Sequence, residues 1–234
     1  MIKKIKGIIF DKDGTLFDIQ RSWSEWAKVF VKKFSNQHNL DTLKLAKAIN
    51  FDLASDKFVR ESIFVHGSMD EVVEAIFQKF PQVMKKKIHE GLFEGSGDAR
   101  QVPLTNLQKL FNNLETITFG LVTNDSETNA IKHLEQHNLT QYFDMIIGYD
   151  SGYGSKPEPG QLEAFLRKTN LLSQEVLMIG DSTYDLVAAN KISMPCLGVL
   201  SGTANKKDLS AHTPFLIDSI DDLEAWLKKT FLVS

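Results

Sequence analysis

Gly7-Ile8-Ile9-Phe10-Asp11-Lys12-Asp13-Gly14-Thr15-Leu16 is the stretch from which the rest of the chain is read. Its first four residues are a short apolar run, the pattern of a buried strand. Asp11 and Asp13 are two apart, so in extended chain their side chains leave the same face, with Cα atoms roughly 6.5–7 Å apart. Gly14 then lets the backbone turn. Two carboxylates at a strand end, beside a glycine turn, make a place where a cation and a phosphate can meet. An Asp-Gly pair alone also marks an ordinary acidic turn, so the assignment rests on the strand ends further along the chain.

Downstream of this stretch the texture changes twice. From about 17 to 94 it is helical, with no clear strand pattern. Trp23, Trp26, Phe30 and Phe34 recur at three- and four-residue spacing, one apolar helical stripe of the kind that packs a core. Asp41-Thr42, Ser55-Asp56 and Ser68-Met69-Asp70-Glu71 read as helix starts, and Pro81 as the opening of a further helix through Ile88. A bundle of four or five short helices is expected. After Gly95-Ser96-Gly97, strands alternate with helices to the end. Strands are expected at 118–123, 145–147, 176–179, 196–200 and 215–217, and helices at 103–114, 126–137, 159–168, 183–190 and 220–229. Alternation of this kind implies a parallel, doubly wound α/β sheet covered on both faces. The first strand belongs with the later ones, so residues 1–16 and 95–234 form one unit and residues 17–94 are inserted in it. Segments 14–19 and 91–97 would be the linkers.

Composition excludes several classes. A net charge of −3 over 234 residues argues against a nucleic-acid surface. Cys196 is the one cysteine, so no internal disulfide forms and a reduced interior site is expected. Met1 to Lys6 with the following apolar run imitates a signal-peptide start. Asp11 breaks the run after four residues, short of the about 7–15 an h-region needs. No segment has the length of a membrane span. A cytoplasmic protein, monomer or homodimer, is expected.

In an open parallel sheet, ligands bind outside the carboxyl ends of the strands. Four successive strand ends here carry polar residues suited to phosphate: Asp11 and Asp13; Thr123-Asn124-Asp125; Gly154-Ser155-Lys156-Pro157; and Gly180-Asp181-Ser182-Thr183-Tyr184-Asp185. Any one of them is commonplace, but their order along the chain is not.

With these motifs in view, the sequence resembles a haloacid dehalogenase superfamily phosphatase, closest to the phosphoglycolate phosphatase branch with a helical cap. The resemblance rests on DKDGTL at Asp11, VTND around Thr123, SKPEP at Lys156 and GDSTYD at Asp181 to Asp185, and it spans the chain. It implies a Rossmann-like core with 17–94 as the cap. Asp11 would be the nucleophile and Asp13 the acid and base, a role that calls for a raised pKa supplied by neighbouring carboxylates. Asp181 would bind a metal with Asp11 and the backbone carbonyl of Asp13, and Asp185 would support it. An oxygen-only set of this kind suits Mg²⁺. Thr123 and Asn124 would hold phosphate oxygens, and Lys156 would neutralise charge on Asp11 and the phosphoryl group. Lys12 departs from the branch, where an apolar residue is commoner; its side chain is expected to point away from both aspartates.

The resemblance implies hydrolysis of a small phosphorylated metabolite. Asp13 favours phosphoryl transfer over dehalogenation but does not separate a hydrolase from a phosphomutase of the same superfamily. A non-catalytic phosphate-binding module is the remaining alternative, less favoured because no key residue is missing. In the insert, Arg21, Arg60, His66 and Ser68 are candidates for reading a substrate carboxylate or hydroxyl, with Arg21 best placed beyond the linker. His89, His133, His137 and His212 show no metal-ligand spacing and are expected at the surface.

Overall fold

The computed structural model describes residues 4–59 and 62–230. Its first strand, β1 (Gly7–Phe10), is buried along its whole length because it lies in the middle of a six-stranded sheet. The chain continues through α1 (Ile19–His38), α2 (Thr42–Ala48), a hairpin of β2 (Phe51–Asp52) and β3 (Lys57–Phe58), α3 (Ile63–His66), α4 (Met69–Lys79) and α5 (Lys85–Phe93). It then runs α6 (Leu107–Asn112), β4 (Thr118–Val122), α7 (Glu127–Glu135), β5 (Met145–Ile147), α8 (Gly160–Thr169), β6 (Val176–Gly180) and α9 (Thr183–Lys191). It closes with β7 (Cys196–Val199), α10 (Lys206–Ser210), β8 (Leu216–Ile217) and α11 (Leu223–Thr230).

The sheet order is β5-β4-β1-β6-β7-β8 and every pairing is parallel. Alternation along β1 sends Ile8 and Phe10 to one face and Ile9 to the other. The first face is packed by Leu110 and Phe111 of α6, Leu134 of α7 and Leu227 of α11. The second is packed by Phe165 of α8, Leu186 of α9 and Leu209 of α10. Full burial of each such side chain stabilises by about 1.5–3 kcal/mol, so a charge at Ile9 would break the sheet at its centre. Among the described residues no helix is long and apolar enough to cross a membrane.

Helices α1–α5 build a third apolar cluster of their own. Its spine is α1, on which Trp23, Ala27, Phe30 and Phe34 are buried along one side. The helix is 20 residues long, so the bundle is not made only of short pieces. Asp18 caps it by accepting the Arg21 N–H, and Asn39 ends it in the left-handed conformation. Ser68 and Glu71 form a capping box at α4, which occupies the Ser68 hydroxyl.

Several boundaries differ from those expected. Ser55-Asp56 starts no helix; the Asp52 carboxylate accepts from the Ala54 N–H and the Ser55 hydroxyl and closes the β2–β3 turn. Residues 80–83 form a turn, and the helix expected at Pro81 begins at Lys85. Gly91 lies inside α5 and is no linker. A Cβ there would stand 2.5 Å from the Phe34 ring, so the glycine permits close approach of α5 to α1. The helix expected from Pro103 begins at Leu107, because Pro103 bridges Phe17 and the Leu104 N–H donates to Leu16 O. The two crossings between the helices and the sheet are also tied together: the Asp18 N–H donates to Val102 O at 2.8 Å and the Val102 N–H to Ser22 Oγ at 3.0 Å.

Candidate active site

Register sets the site. Phe10 is level with Leu121 of β4 and Ile179 of β6, so Asp11 emerges beside the ends of both neighbours. The Asp11 N–H donates to Ile179 O at 2.9 Å, which fixes its backbone against β6. Asp181 follows β6 directly. Ser182 caps α9 in a box with Asp185, whose Oδ2 accepts from the Ser182 hydroxyl at 2.6 Å. Asp11, Asp181 and Asp185 thereby bring one carboxylate oxygen each within 4.8 Å of one another, all buried.

One cation faces this group. Lys156 Nζ donates to Asp11 Oδ1 at 2.5 Å, to Asp185 Oδ1 at 2.6 Å and to Val122 O at 3.0 Å, which uses its three protons. Its backbone is clamped by Asn124, which accepts the Lys156 N–H and donates to the Lys156 carbonyl, both at 2.9 Å. Asn124 also donates to the carbonyl of His66 at 2.9 Å. The Asn124 side chain is thus committed to positioning, and a phosphate would meet only backbone there.

The charge balance is unequal. Burial pushes the Asp11 carboxyl up to about 7, against the pull of Lys156 and with repulsion from Asp185 and Asp13. Burial, with repulsion from Asp11 and Asp185, raises Asp181 well above the carboxylate range, and its Oδ2 is buried without a hydrogen-bond partner. Gly14, at φ 88°, packs against that oxygen; a Cβ there would approach it to 2.5 Å. A buried, unpartnered carboxylate oxygen beside two further acids, all of them hard oxygen donors, fits a Mg²⁺ ion.

Asp13 stands apart from the cluster. Its Oδ1 accepts from the Trp23 indole N–H of α1 at 2.6 Å, and its Oδ2 pairs with Lys12 at 2.7 Å. Burial pushes its carboxyl up, but the Lys12 ammonium, the Trp23 N–H and His133 together bring it below the ordinary range. Two expectations fail here. Lys12 does not point away, and Asp13's close neighbours are cationic and donor groups, which lower its pKa. The strand ends at Phe10 and the chain is already turning at Lys12, so strand alternation does not extend to this residue.

Asp11, Asp13, Thr123, Lys156 and Asp181 all border a cavity of about 70 Å³. Its roof comes from the helical cluster, chiefly Trp23, Phe64, Met69, Val72 and Leu92. Thr123 is buried, and its hydroxyl accepts the Asp125 N–H at 3.1 Å. His66 also borders the cavity, and its ring meets Thr203 Oγ1. Burial pushes that imidazole down to about 4, with Lys156 adding to the shift and Asp185 opposing it.

The structure does not bring Arg21 to this cavity. It is exposed and borders a separate outer groove with Trp26, Phe30 and Arg100. Arg21 and Trp23 are two apart on a helix, about 200° around its axis, so burying Trp23 inward turns Arg21 outward. Arg60 lies outside the described residues. Ser68 is held in its capping box. His133, expected at the surface, is fully buried. Its Nε2 faces Ser96 O at 3.0 Å, and its Nδ1 faces Lys12 Nζ at 3.0 Å. Lys12 and His133 are polar residues at the site that reading the sequence placed away from it, and Ser96 and Asn129, which border the cavity, carried no signal. The departure at Lys12 was the available signal.

A parallel sheet with four acidic and basic strand ends gathered at one edge is the arrangement of a haloacid dehalogenase-like hydrolase. The model of that family matches residues 8–199, and the chain belongs to it. Among its relatives is the phosphoglycolate phosphatase of Vibrio parahaemolyticus, 25% identical over 232 residues and covering 94% of each chain. The phosphoglycolate phosphatase of Yersinia pestis is 28% identical over 204 residues, covering 86% of this chain and 83% of that protein. Two solved structures share the fold. A predicted phosphoglycolate phosphatase from Haemophilus somnus matches with a TM-score of 0.72 at 17% identity, covering 97% of this chain and 99% of that one. The L-2-haloacid dehalogenase of Xanthobacter autotrophicus matches with a TM-score of 0.64 at 15% identity, covering 97% and 100%.

Proposed function

We propose that the protein is a Mg²⁺-dependent phosphatase that hydrolyses a small phosphorylated metabolite through an aspartyl-phosphate on Asp11. The observation that supports this most is the buried cluster of Asp11, Asp181 and Asp185, the first and last of which share Lys156, with Asp13 facing the same cavity from outside that group. Asp11 attacks phosphorus and forms the P–O bond as the substrate's ester bond breaks. Asp13 gives its proton to the departing alkoxide and later takes one from the water that attacks the phospho-enzyme. The incoming phosphate's negative charge opposes the pull of Lys12 on Asp13 and favours the protonated form for the first of these steps.

Lys156 holds Asp11 in place and faces the charge that builds on the phosphoryl oxygens. Thr123 presents its hydroxyl to one of those oxygens. Asp11 and Asp181, with the Asp13 backbone carbonyl, would hold the metal, and Asp185 would steady Lys156 and the Asp181 loop from behind. When bound, Mg²⁺ neutralises the acidic cluster and polarises the phosphoryl group.

Residues 17–94 would act as a cap over a core of 1–16 and 95–234. Two contacts across that division support closure: Trp23 to Asp13 and Asn124 to the His66 carbonyl. The small, largely apolar-roofed cavity supports a small substrate. Such metabolites are charged and stay inside cells, which fits a cytoplasmic enzyme. Phosphoglycolate, the substrate named for the relatives, is the first compound to test. The test is inorganic phosphate release from an aryl phosphate and a panel of phosphorylated metabolites with and without Mg²⁺. Turnover with release of phosphate supports a hydrolase. Isomerised sugar phosphate without release would indicate a mutase, and no turnover of any substrate would leave only a binding module.

A further inference from the structure

Lys12 has no part in the phosphoryl-transfer chemistry assigned to this site, yet its ammonium is fully buried against Asp13. Burying an ammonium costs several kcal/mol unless it is well paired, and an apolar side chain would fill the same space at less cost. The surroundings supply the pairing. Asp13 Oδ2, His133 Nδ1 and Asp125 Oδ2 lie 2.7, 3.0 and 3.1 Å from Lys12 Nζ, and the Trp23 ring lies over it with its centroid at 5.2 Å. His133 is fixed in turn: Ser96 O can only accept, so Nε2 carries the ring proton and Nδ1 is left to accept from Lys12. Asp125 is held through Oδ1 by the Ser126 N–H at 2.7 Å and Asn129 Nδ2 at 3.0 Å.

The result is that both oxygens of Asp13 are gripped, Oδ2 by Lys12 and Oδ1 by Trp23 at 2.6 Å. A carboxylate held at both oxygens cannot rotate about its Cβ–Cγ bond without breaking one contact. We propose that Lys12, backed by His133 and Asp125, is a positioning residue that sets the Asp13 carboxylate for breakdown of the phospho-enzyme. This rests on the reading of Asp11 as nucleophile and Asp13 as base. In that step a water oxygen bonds to phosphorus and the P–O bond to Asp11 breaks. The electron pair returns to the Asp11 carboxylate and the water's proton passes to Asp13.

An aryl phosphate separates this step from the first one, because nitrophenolate leaves without needing a proton. The test is stopped-flow release of nitrophenolate from p-nitrophenyl phosphate by the full-length Mg²⁺-loaded protein. For Lys12→Met the steady-state kcat is expected to fall about 10- to 100-fold, less than the about 10²- to 10⁴-fold that general base catalysis itself supplies, because the base is misplaced and not removed. kcat/KM stays within about threefold, and nitrophenolate appears in a burst approaching one per active site. A purely packing role would lower kcat and kcat/KM together without a burst, and that result overturns the proposal. Asp13→Asn is the control. A burst with Asp13→Asn and none with Lys12→Met removes the assignment of Lys12 alone, whereas no burst with Asp13→Asn removes the reading of Asp13 and the proposal with it. If Lys12→Met fails to fold, Trp23→Phe keeps the ring and removes the N–H that grips the other oxygen. The same burst is expected from it, and its absence overturns the proposal.

Discussion

Lys156 Nζ lies 2.5 Å from Asp11 Oδ1, joining residues 145 positions apart, one just past β1 and the other in the loop between β5 and α8. The same ammonium bonds Asp185, so its hydrogen bonds to acids go to two carboxylates and Asp181 Oδ2 is left without a hydrogen-bond partner. This division sets what each residue of the cluster contributes to stability and to chemistry.

Asp11→Asn is expected to fold and to lose turnover below detection. The amide cannot attack phosphorus, and the uncatalysed hydrolysis is slower by up to ~10²¹-fold. Circular dichroism together with phosphate release from purified protein checks both halves of the statement.

Lys156→Met should be costly to the fold as well as to activity. It leaves Asp11 and Asp185 buried without their shared cation, and breaking a buried pair on one side destabilises by about 3–5 kcal/mol. Urea unfolding at neutral pH measures the loss. A change under about 1 kcal/mol would mean that the two carboxylates find other partners.

Chelation should stop phosphate release and Mg²⁺ should restore it, while Ca²⁺, which favours more ligands and looser geometry, should not. Mg²⁺ is also expected to raise the wild-type melting temperature by several degrees. Saturating at 100 Kd adds about 2.7 kcal/mol to the native state, and a chain of this size gains about 2–4 °C per kcal/mol. Asp181→Asn should lose that thermal shift, a readout that does not depend on activity.

Arg21→Ala is expected to leave KM within about twofold for both phosphoglycolate and a neutral aryl phosphate, because Arg21 faces the outer groove. Its stability should change by no more than about 0.5 kcal/mol, as for most surface substitutions. A KM increase confined to the carboxylate substrate would place Arg21 over the site during turnover.

His66 predicts a pH dependence. Its ordinary value is 6.5 and burial holds it near 4 in the folded chain. Between those pH values the unfolded chain binds a proton that the folded chain does not, so this contribution to stability is complete above 6.5 and is lost as pH falls towards 4. Wild type is therefore expected to lose stability relative to His66→Gln across that window, measured by urea unfolding at stepped pH.

The fold and the nucleus of the site were legible in the sequence for a local reason. Apolar runs of strand length are followed at once by Asp11, Thr123 and Asp181, and a parallel sheet puts all its strand ends on one edge, so naming the strands also placed these residues together. Ser182 and Asp185 could be placed the same way, because three-residue spacing at a helix start is a property of the backbone. Tertiary packing decided the rest. Lys12 turned inward because β1 stops at Phe10 and the alternation rule stops with it. Arg21 and Trp23 share one helix, but only the packing of the α1 stripe determines which of them roofs the cavity. His133 looked like any polar residue on α7 until Lys12 and Ser96, from segments 121 and 37 residues away, supplied the partners that let it be buried. Periodicity and spacing fix which residues a segment can present. The cost of burying an unpaired charge or polar group fixes which of them meet, and that depends on groups no local window contains.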